Sequence, residues 1–174
     1  EKWESPVRPW GGTEQIAWTK DNKGIIYTAR KKEGVAYASS TNTDLYLYDL
    51  SSGKTRNLTE GMMGYDNNPV LSPDGKLMAW ESMERDGYEA DKIRLFVMNL
   101  QTGEKKEYTR NFDQNVGGLN WADNNTIYFI SDYHATDEIY KLTLDDGVIK
   151  KLTEGVHNYT SVTPVGDFLL AGKV

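Results

Sequence analysis

The sequence predicts an all-β fold assembled from repeated four-stranded antiparallel units. The first observation is a set of turn motifs, of which Ser72-Pro73-Asp74-Gly75 is the clearest. Proline presets φ at the first corner, aspartate can bond its own backbone, and glycine accepts the positive φ that follows. The second observation is the alternation of apolar and polar residues, as in residues 43–50 (TDLYLYDL), which is typical of strands. The third is that both features recur at a regular spacing.

After a connector over residues 1–12, the strands are predicted in groups of four. The first group is at residues 15–18, 25–30, 43–50 and 55–59. The second group is at residues 68–71, 76–82, 93–100 and 105–109. The third group is at residues 118–121, 126–132, 138–144 and 148–153, and a fourth begins at residues 159–163 and 167–171. Residues 31–42 are predicted to be a loop, and the strand residues Trp18, Trp80 and Trp121 are expected in the core.

Two independent series of residues measure the repeat. The series are Leu50, Leu100 and Leu144, and Thr59, Thr109 and Thr153. In both series the spacings are 50 and 44 residues. The difference between the two spacings falls in the connection between the second and third strands. This connection is long in the second group, at residues 83–92, and short in the third, at residues 133–137. A repeat of about 40 to 50 residues with four strands is the pattern of β-propeller blades.

The predicted fold class is therefore an all-β partial β-propeller, of the WD-repeat-like type, with about three and a half four-stranded antiparallel blades. The blades of this single domain are placed approximately at residues 13–60, 66–110 and 116–154, with a partial blade at residues 156–174. An open arc leaves blade faces and strand edges uncovered. The chain is therefore expected to be a piece of a longer protein, completed by further sequence or by self-association of two arcs.

Composition narrows the classes of function. The 174 residues include no cysteine, which excludes disulfides, thiolate zinc sites and cysteine nucleophiles. The net charge of −6 argues against a nucleic-acid partner, which would need a basic face. No apolar run is long enough to span a membrane. No cofactor or metal is expected, because the Asp- and Asn-rich turns lack the ligand spacing of a calcium loop.

Several segments carry a resemblance to a known family. The SPDG turn is similar to the repeat of TolB-type propellers and of the propeller in the prolyl oligopeptidase family. Residues 64–69 (GYDNNP), together with the strands and loop that follow them, resemble dipeptidyl peptidase V or acylaminoacyl-peptidase members of that family. The other matching segments are residues 112–116 (FDQNV), 127–135 (IYFISDYHA) and 155–162 (GVHNYTSV). Nearly the whole chain fits this pattern.

The resemblance implies the N-terminal, non-catalytic propeller of a serine exopeptidase of the dipeptidyl peptidase or acylaminoacyl peptidase type. Its partner would be a C-terminal α/β-hydrolase domain, absent from this chain, that carries a Ser-Asp-His triad. The propeller would gate that triad and position short peptide substrates, in a periplasmic or secreted enzyme. The alternative is a TolB-like binding propeller for a protein or glycan partner, without catalytic activity.

The sequence holds no catalytic site of its own. No Gly-x-Ser-x-Gly nucleophile elbow is present. The two histidines, His134 and His157, lie at or beside predicted strand ends, and no recognisable motif pairs either with a nucleophile. We therefore expect no catalytic residue in this chain.

The densest charged stretch is residues 81–91 (ESMERDGYEAD). One interpretation is a solvated loop between blade strands, which is what most charge runs are. The other is that Glu84, Arg85 or Glu89 binds substrate. A carboxylate there would pair with the free ammonium of a peptide, and the arginine would hold a carbonyl or carboxylate in a fork. Both interpretations remain open from the sequence.

Overall fold

A computed structural model describes residues 3–174, which form fourteen strands and one short α-helix. The first sheet contains β1 (Ile16–Trp18), β2 (Gly24–Ala29), β3 (Asp44–Asp49) and β4 (Thr55–Asn57). The second contains β5 (Asp66–Leu71), β6 (Leu77–Ser82), β7 (Arg94–Asn99) and β8 (Lys105–Glu107). The third contains β9 (Gly117–Trp121), β10 (Thr126–Tyr133), β11 (Thr136–Thr143) and β12 (Ile149–Lys151). A two-stranded sheet of β13 (Tyr159–Val165) and β14 (Phe168–Lys173) follows.

Each sheet is an antiparallel meander in which strands pair in chain order. The three four-stranded sheets and the final pair confirm the predicted all-β fold of three and a half blades. The first strands of successive sheets lie near one another, β1 beside β5, β5 beside β9 and β9 beside β13. These strands therefore form the inner, concave wall of the arc, and the fourth strands form its outer rim.

Aspartates shape the turns between first and second strands. The side chain of Asp74 accepts hydrogen bonds from Ser72 Oγ at 2.7 Å and from the Lys76 N–H at 3.0 Å. Asp21 makes the same two kinds of contact in the first blade, with Thr19 and Lys23. Gly75 adopts φ +73°. The turn chemistry expected for the SPDG motif is therefore present, and it repeats between blades.

The leucine series marks the point where the third strand ends. The backbone N–H groups of Leu50, Leu100 and Leu144 each donate to a carbonyl in the preceding first-to-second-strand turn, at 2.9, 2.9 and 2.8 Å. The following turns contain Gly53, Gly103 and Gly147, with φ of +68°, +76° and +69°. The regular spacing of the leucines therefore reflects a hydrogen bond, repeated in each blade, between the end of the third strand and the turn that joins the first two strands.

The threonine series closes each blade at its rim. Thr59, Thr109 and Thr153 follow the fourth strand, and the Oγ1 of each accepts a hydrogen bond from a third-strand N–H at 3.0, 2.8 and 2.9 Å. The three donors are the N–H groups of Leu45, Leu95 and Ile139. Thr59 and Thr109 are fully buried. The hydroxyl thus replaces a ladder bond where the short fourth strand ends.

The core lies between blades. Alternation along β6 sends Met78 and Trp80 into a cluster with Ile26 and Leu45 of the first blade. Ala79, between them, belongs to a second cluster shared with the third blade. The Trp80 indole stacks on Phe96 at 5.4 Å between ring centroids. The second blade therefore buries one face against the first blade and the other against the third.

Three local features differ from the sequence prediction. Helix α1 (Gly34–Ser39) occupies part of the predicted loop over residues 31–42. Trp18, expected in the core, is 57% exposed, because β1 lies on the concave wall with no strand inside it. The connector is described from residue 3 onwards, and its first two residues lie outside the described part. Its Val7 is buried, so this segment packs on the arc instead of only linking to it.

The last strand has an uncovered apolar face. Phe168 and Leu170 of β14 are 79% and 68% exposed, whereas Val162 of β13 is buried. Such a face is typical of a surface that another element covers. Self-association of the arc, or coverage by further sequence, stays a prediction. Within residues 3–174, no helix has the length and apolarity needed to cross a membrane.

Replacing Thr109 by valine should lower the free energy of unfolding by about 1–3 kcal/mol. Valine keeps the shape of threonine but leaves the buried Leu95 N–H without its acceptor. Chemical denaturation would measure the change. Thr55→Val, at an exposed position of β4, is the matched control and should change stability by less than about 0.5 kcal/mol. Equal effects of the two substitutions would contradict the role given to the threonine series.

Candidate functional site

Two adjoining cavities lie on the inner side of the arc. The larger, of about 680 Å³, runs along the concave wall and is lined by residues of β1, β5 and β9. The smaller, of about 310 Å³, is bounded by residues 7–15, by β5 and β6, and by the loop after β6. Glu14, Asn68 and Glu81 line both cavities. These three residues therefore lie at the boundary between the two cavities.

Glu81 is the buried acid of this junction. It lies on β6 and is only 7% exposed. Asn68 Nδ2 donates to its Oε2 at 2.8 Å, and the Gly118 N–H of the third blade donates to its Oε1 at 3.1 Å. The register of β5 shifts between Asn67 and Val70, and Asn68 has φ +52°. This β-bulge re-aims the Asn68 side chain toward the acid.

Burial sets the charge state of Glu81. Desolvation raises the pKa of its carboxyl to about 7, although the hydrogen bonds from Asn68 and Gly118 act to lower it. The negative charge of Glu14 adds a smaller upward contribution. At neutral pH the Glu81 carboxyl is therefore far closer to its protonated form than an exposed glutamate would be.

The segment before β1 forms one wall of the smaller cavity. The Val7 N–H donates to Gln15 Oε1 at 2.7 Å, and the Gly11 N–H donates to the Val7 carbonyl at 2.9 Å. A Cβ on Gly11 would lie 2.6 Å from the Val7 carbonyl oxygen, which is backbone and cannot turn away, so only glycine fits this close approach. These contacts hold residues 7–15 in place. Trp10, within this segment, also lines the cavity and is 91% exposed.

Arg85 is held within its own loop. Its Nε donates to Asp91 Oδ1 at 2.9 Å and to Oδ2 at 3.1 Å, and its Nη2 also pairs with Oδ1. Its backbone N–H donates to Asp91 Oδ2 at 2.8 Å. The guanidinium carbon lies 4.1 Å from the centre of the Tyr88 ring. Arg85 is 59% exposed, so one side of its fork remains open to solvent.

The three predicted substrate-binding residues are not brought together in one cavity. Glu89 lines the smaller cavity, whereas Glu84 and Arg85 are not among its lining residues. Glu84 is 72% exposed, and its Oε2 lies 3.9 Å from Arg94 Nη1. Glu81, Glu14 and Trp10 were not among the predicted site residues. The one signal in the sequence that could have singled out Glu81 is its position, since a charged residue within a predicted buried strand is unusual.

Asp86 ties this loop to the first blade. Its Oδ1 accepts hydrogen bonds from Ser40 Oγ at 2.8 Å and from the Thr41 N–H at 2.8 Å. Lys32 Nζ lies 3.7 Å from its Oδ2, and the Gly87 N–H donates to Thr41 Oγ1 at 2.8 Å. Desolvation raises the pKa of Asp86, but the hydrogen bonds outweigh it and hold the pKa below its ordinary value. The long loops of adjacent blades therefore form one connected surface.

A second buried acid lies behind the site. Asp66 is fully buried at the start of β5, and Trp80 Nε1 donates to its Oδ1 at 2.8 Å. Desolvation raises the pKa of Asp66 to about 7. Its backbone joins the first blade through Thr43, whose Oγ1 donates to the Asp66 carbonyl at 2.9 Å. Asp66 therefore lies at the contact between the first two blades, and burial there raises the pKa of its carboxyl.

The meander sheets, the inner wall of first strands and the packing of blade on blade define an open β-propeller. The TolB beta propeller domain family matches residues 17–173 of this chain, and the chain belongs to that family. No group of three or more metal-ligating side chains is assembled within residues 3–174.

Two curated relatives match almost the whole chain. It is 47% identical over 174 residues to Dipeptidyl-peptidase 5 of Porphyromonas gingivalis and 48% identical over 174 residues to that of Porphyromonas endodontalis. Each match covers 99% of this chain and 25% of the relative, so the chain spans about a quarter of their length. These relatives confirm the resemblance inferred from the SPDG turn and the segments around it.

A solved structure supports the fold. The chain is similar to acylaminoacyl peptidase from Pyrococcus horikoshii, with a TM-score of 0.69 and 17% identity, over 91% of this chain and 23% of that one. At this identity the likeness concerns the arrangement of strands and blades.

Stability should fall as pH rises from about 4 to about 7. The ordinary pKa values are 3.8 for Asp66 and 4.5 for Glu81, and both carboxyls titrate near 7 in the folded state. The folded chain therefore keeps protons that the unfolded chain has released, so the free energy of unfolding decreases through this window and then levels off. Urea denaturation at several pH values would measure the slope.

Asp66→Asn should remove part of that slope. Asparagine still offers an oxygen to Trp80 Nε1 but cannot ionise. At about pH 8 the free energy of unfolding of the variant should therefore equal that of the parent chain or exceed it by up to a few kcal/mol. Asp167→Asn, at an exposed position, is the control and should leave the slope unchanged. An Asp66→Asn variant with the parent's slope would show that this carboxyl is ionised throughout.

Proposed function

We propose that the chain is the propeller part of a serine exopeptidase of the dipeptidyl-peptidase type. The observation that carries this proposal is the identity of 47% with Dipeptidyl-peptidase 5 along almost the whole chain. In the proposed enzyme a C-terminal α/β-hydrolase domain supplies the catalytic triad, and the protein is periplasmic or secreted. The propeller gates access to that domain and positions short peptides.

The connected loops of the first two blades support a gating role. The loop between β6 and β7 adjoins the smaller cavity through Glu89 and is fixed to the first blade through Asp86. A loop held on a rigid sheet can restrict passage without closing the channel. Arg85, paired with Asp91, keeps the shape of this loop and leaves part of its fork for a peptide carbonyl or carboxylate.

Glu84 and Glu89 are the proposed contacts for the amino end of a peptide. In the full-length peptidase, Glu89→Gln should raise KM for peptides with a free amine more than for amine-blocked peptides, by about fivefold or more, because a carboxylate–ammonium contact is lost. Glu84→Gln should act in the same direction but less, since Glu84 is 72% exposed and screened by solvent.

Steady-state kinetics on paired free and acetylated peptides would measure these ratios. Glu104→Gln is the matched control, because Glu104 is exposed in the turn between β7 and β8, at the other end of the blade. Equal effects on free and blocked peptides would count against binding of the amine by these carboxylates.

Asp86→Asn should loosen the proposed gate. The substitution weakens the hydrogen bonds from Ser40 and Thr41 and the contact with Lys32, so the loop should separate from the first blade more often. We expect kcat/KM for longer peptides to rise relative to that for dipeptide-releasing substrates of minimal length. Asp113→Asn, at an exposed position with no such contacts, is the control. An unchanged length preference in Asp86→Asn would argue that the loop does not limit entry.

A further inference from the structure

We propose that one end of the arc, the loop end, is the surface that contacts the C-terminal domain of the polypeptide, and that the opposite end faces solvent. The proposal deepens the function proposed above and rests on it for the existence of that domain. The loop end consists of the segment before β1, the connections between second and third strands, and the connections between blades. These are residues 3–15, 30–43, 58–65, 83–93, 108–116, 134–135 and 152–158.

The opposite end of the arc, the turn end, holds the other connections of the three four-stranded blades. They join the first strand to the second and the third strand to the fourth. These are residues 19–23, 50–54, 72–76, 100–104, 122–125 and 144–148.

The first argument is the path of the chain. Strands pair antiparallel and in chain order within each sheet, so successive strands run in opposite directions. A blade with four strands therefore begins and ends at the same end of the arc, which is the loop end. Any further complete blade of this kind keeps the same arrangement. A domain that follows a whole number of blades is therefore tethered at the loop end.

The second argument is the length of the relatives. Each Dipeptidyl-peptidase 5 relative is about four times as long as this chain, whereas a ring of about eight blades, at about 50 residues a blade, needs only about 400 residues. In those relatives the remaining sequence is long enough for a separate domain. A domain held close to a propeller needs a surface on it, because the interfaces between domains of one chain bury apolar area much as other protein interfaces do.

The third argument is the distribution of exposed apolar side chains. Single residues of this kind are common on protein surfaces, so their position is more informative than their number. Within residues 3–158, seven large apolar side chains are more than half exposed. Val148 lies at the turn end and Trp18 on β1. The other five lie at the loop end, each in a different segment, and they are Trp10, Val35, Met63, Tyr88 and Val156.

The turn end offers a partner much less. Its turns are short, and their polar groups bond to one another. Asp49 Oδ1 accepts hydrogen bonds from the N–H groups of Ser51 and Ser52, at 2.9 and 2.7 Å. Asn99 makes the same two kinds of bond in the second blade, at 2.9 and 3.1 Å. Turns that satisfy their own donors and repeat from blade to blade present few groups that a docked domain could use.

The relief of the loop end suits a docked domain. Its connections differ in length between blades, and the smaller cavity opens beside residues 83–93. A further cavity of about 450 Å³ lies at the same end, where Lys92, Asp132 and His134 are among its lining residues. Protein interfaces combine such apolar contacts with a polar surround. The loop proposed above as a gate would then lie between the inner channel and the docked domain.

Site-directed crosslinking in the full-length protein tests the docking surface without relying on hydrolysis. The chain has no cysteine, so one can be placed at either end, with any cysteine outside this chain replaced by serine. Val35→Cys and Val156→Cys label the loop end, and Val148→Cys is the matched control at the turn end. Each variant is labelled with a maleimide–benzophenone reagent and irradiated. Mass spectrometry of the isolated monomer then identifies the peptide joined to the label.

We expect crosslinks to the C-terminal domain from Val35→Cys and Val156→Cys, and their loss in Val148→Cys. All three positions are exposed, so thermal unfolding of each variant should match that of the parent protein. Crosslinks from Val148→Cys and from neither loop-end variant would overturn the proposal. Equal yields from all three variants would overturn it as well.

The outcome also separates this proposal from the proposed function. Crosslinks from the loop end alone, in a protein that hydrolyses no peptide, would support the docking surface and overturn the peptidase assignment. Peptide hydrolysis in a protein whose crosslinks come only from the turn end would do the reverse.

Discussion

The structure depends on one constraint, which is that each four-stranded sheet has two apolar faces and can bury neither alone. Trp80 and Met78 on one face of β6 pack on the first blade, while Ala79 on the other face packs on the third. Stability is therefore shared between neighbours, as in other repeat proteins. The buried acids Asp66 and Glu81 lie at these same contacts between blades, where Thr43 of the first blade and Gly118 of the third bond to them.

This packing also explains why cavities form at the inner wall. The first strands have no strand on their concave side, so side chains such as Trp18 face the channel instead of a core. The bulge at Asn68 turns a side chain toward Glu81, and the segment from Val7 to Gln15 closes one side of the cavity. A rigid scaffold thus holds polar groups that would be poorly fixed on a free loop.

The sequence was sufficient to predict the repeated parts of the fold. The leucine and threonine series reflect local hydrogen bonds that recur in every blade, so their spacing carries the information directly. The features that it could not predict depend on contacts between distant segments. Helix α1 was missed for a different, local reason, because its six residues are too few to show a helical periodicity in the sequence. The raised pKa of Glu81 requires Asn68 and Gly118, which are brought to it by a bulge and by the neighbouring blade. The family resemblance rested on short runs of sequence, and the relatives that match the whole chain confirm it.

The connection between second and third strands is the one place where the blades differ greatly in length. In the third blade His134 and Ala135 make a tight reversal with positive φ, whereas residues 83–93 span the same gap in the second. The other connections have similar lengths in each blade, because the same turns and the same threonines close them. The length of this connection can therefore change between blades without changing the pairing of the strands, although in the second blade its Asp86 also bonds to the first blade. Exchanging this segment for the short one of the third blade would remove the contacts of Asp86 with the first blade and leave the strand pairing of each sheet in place.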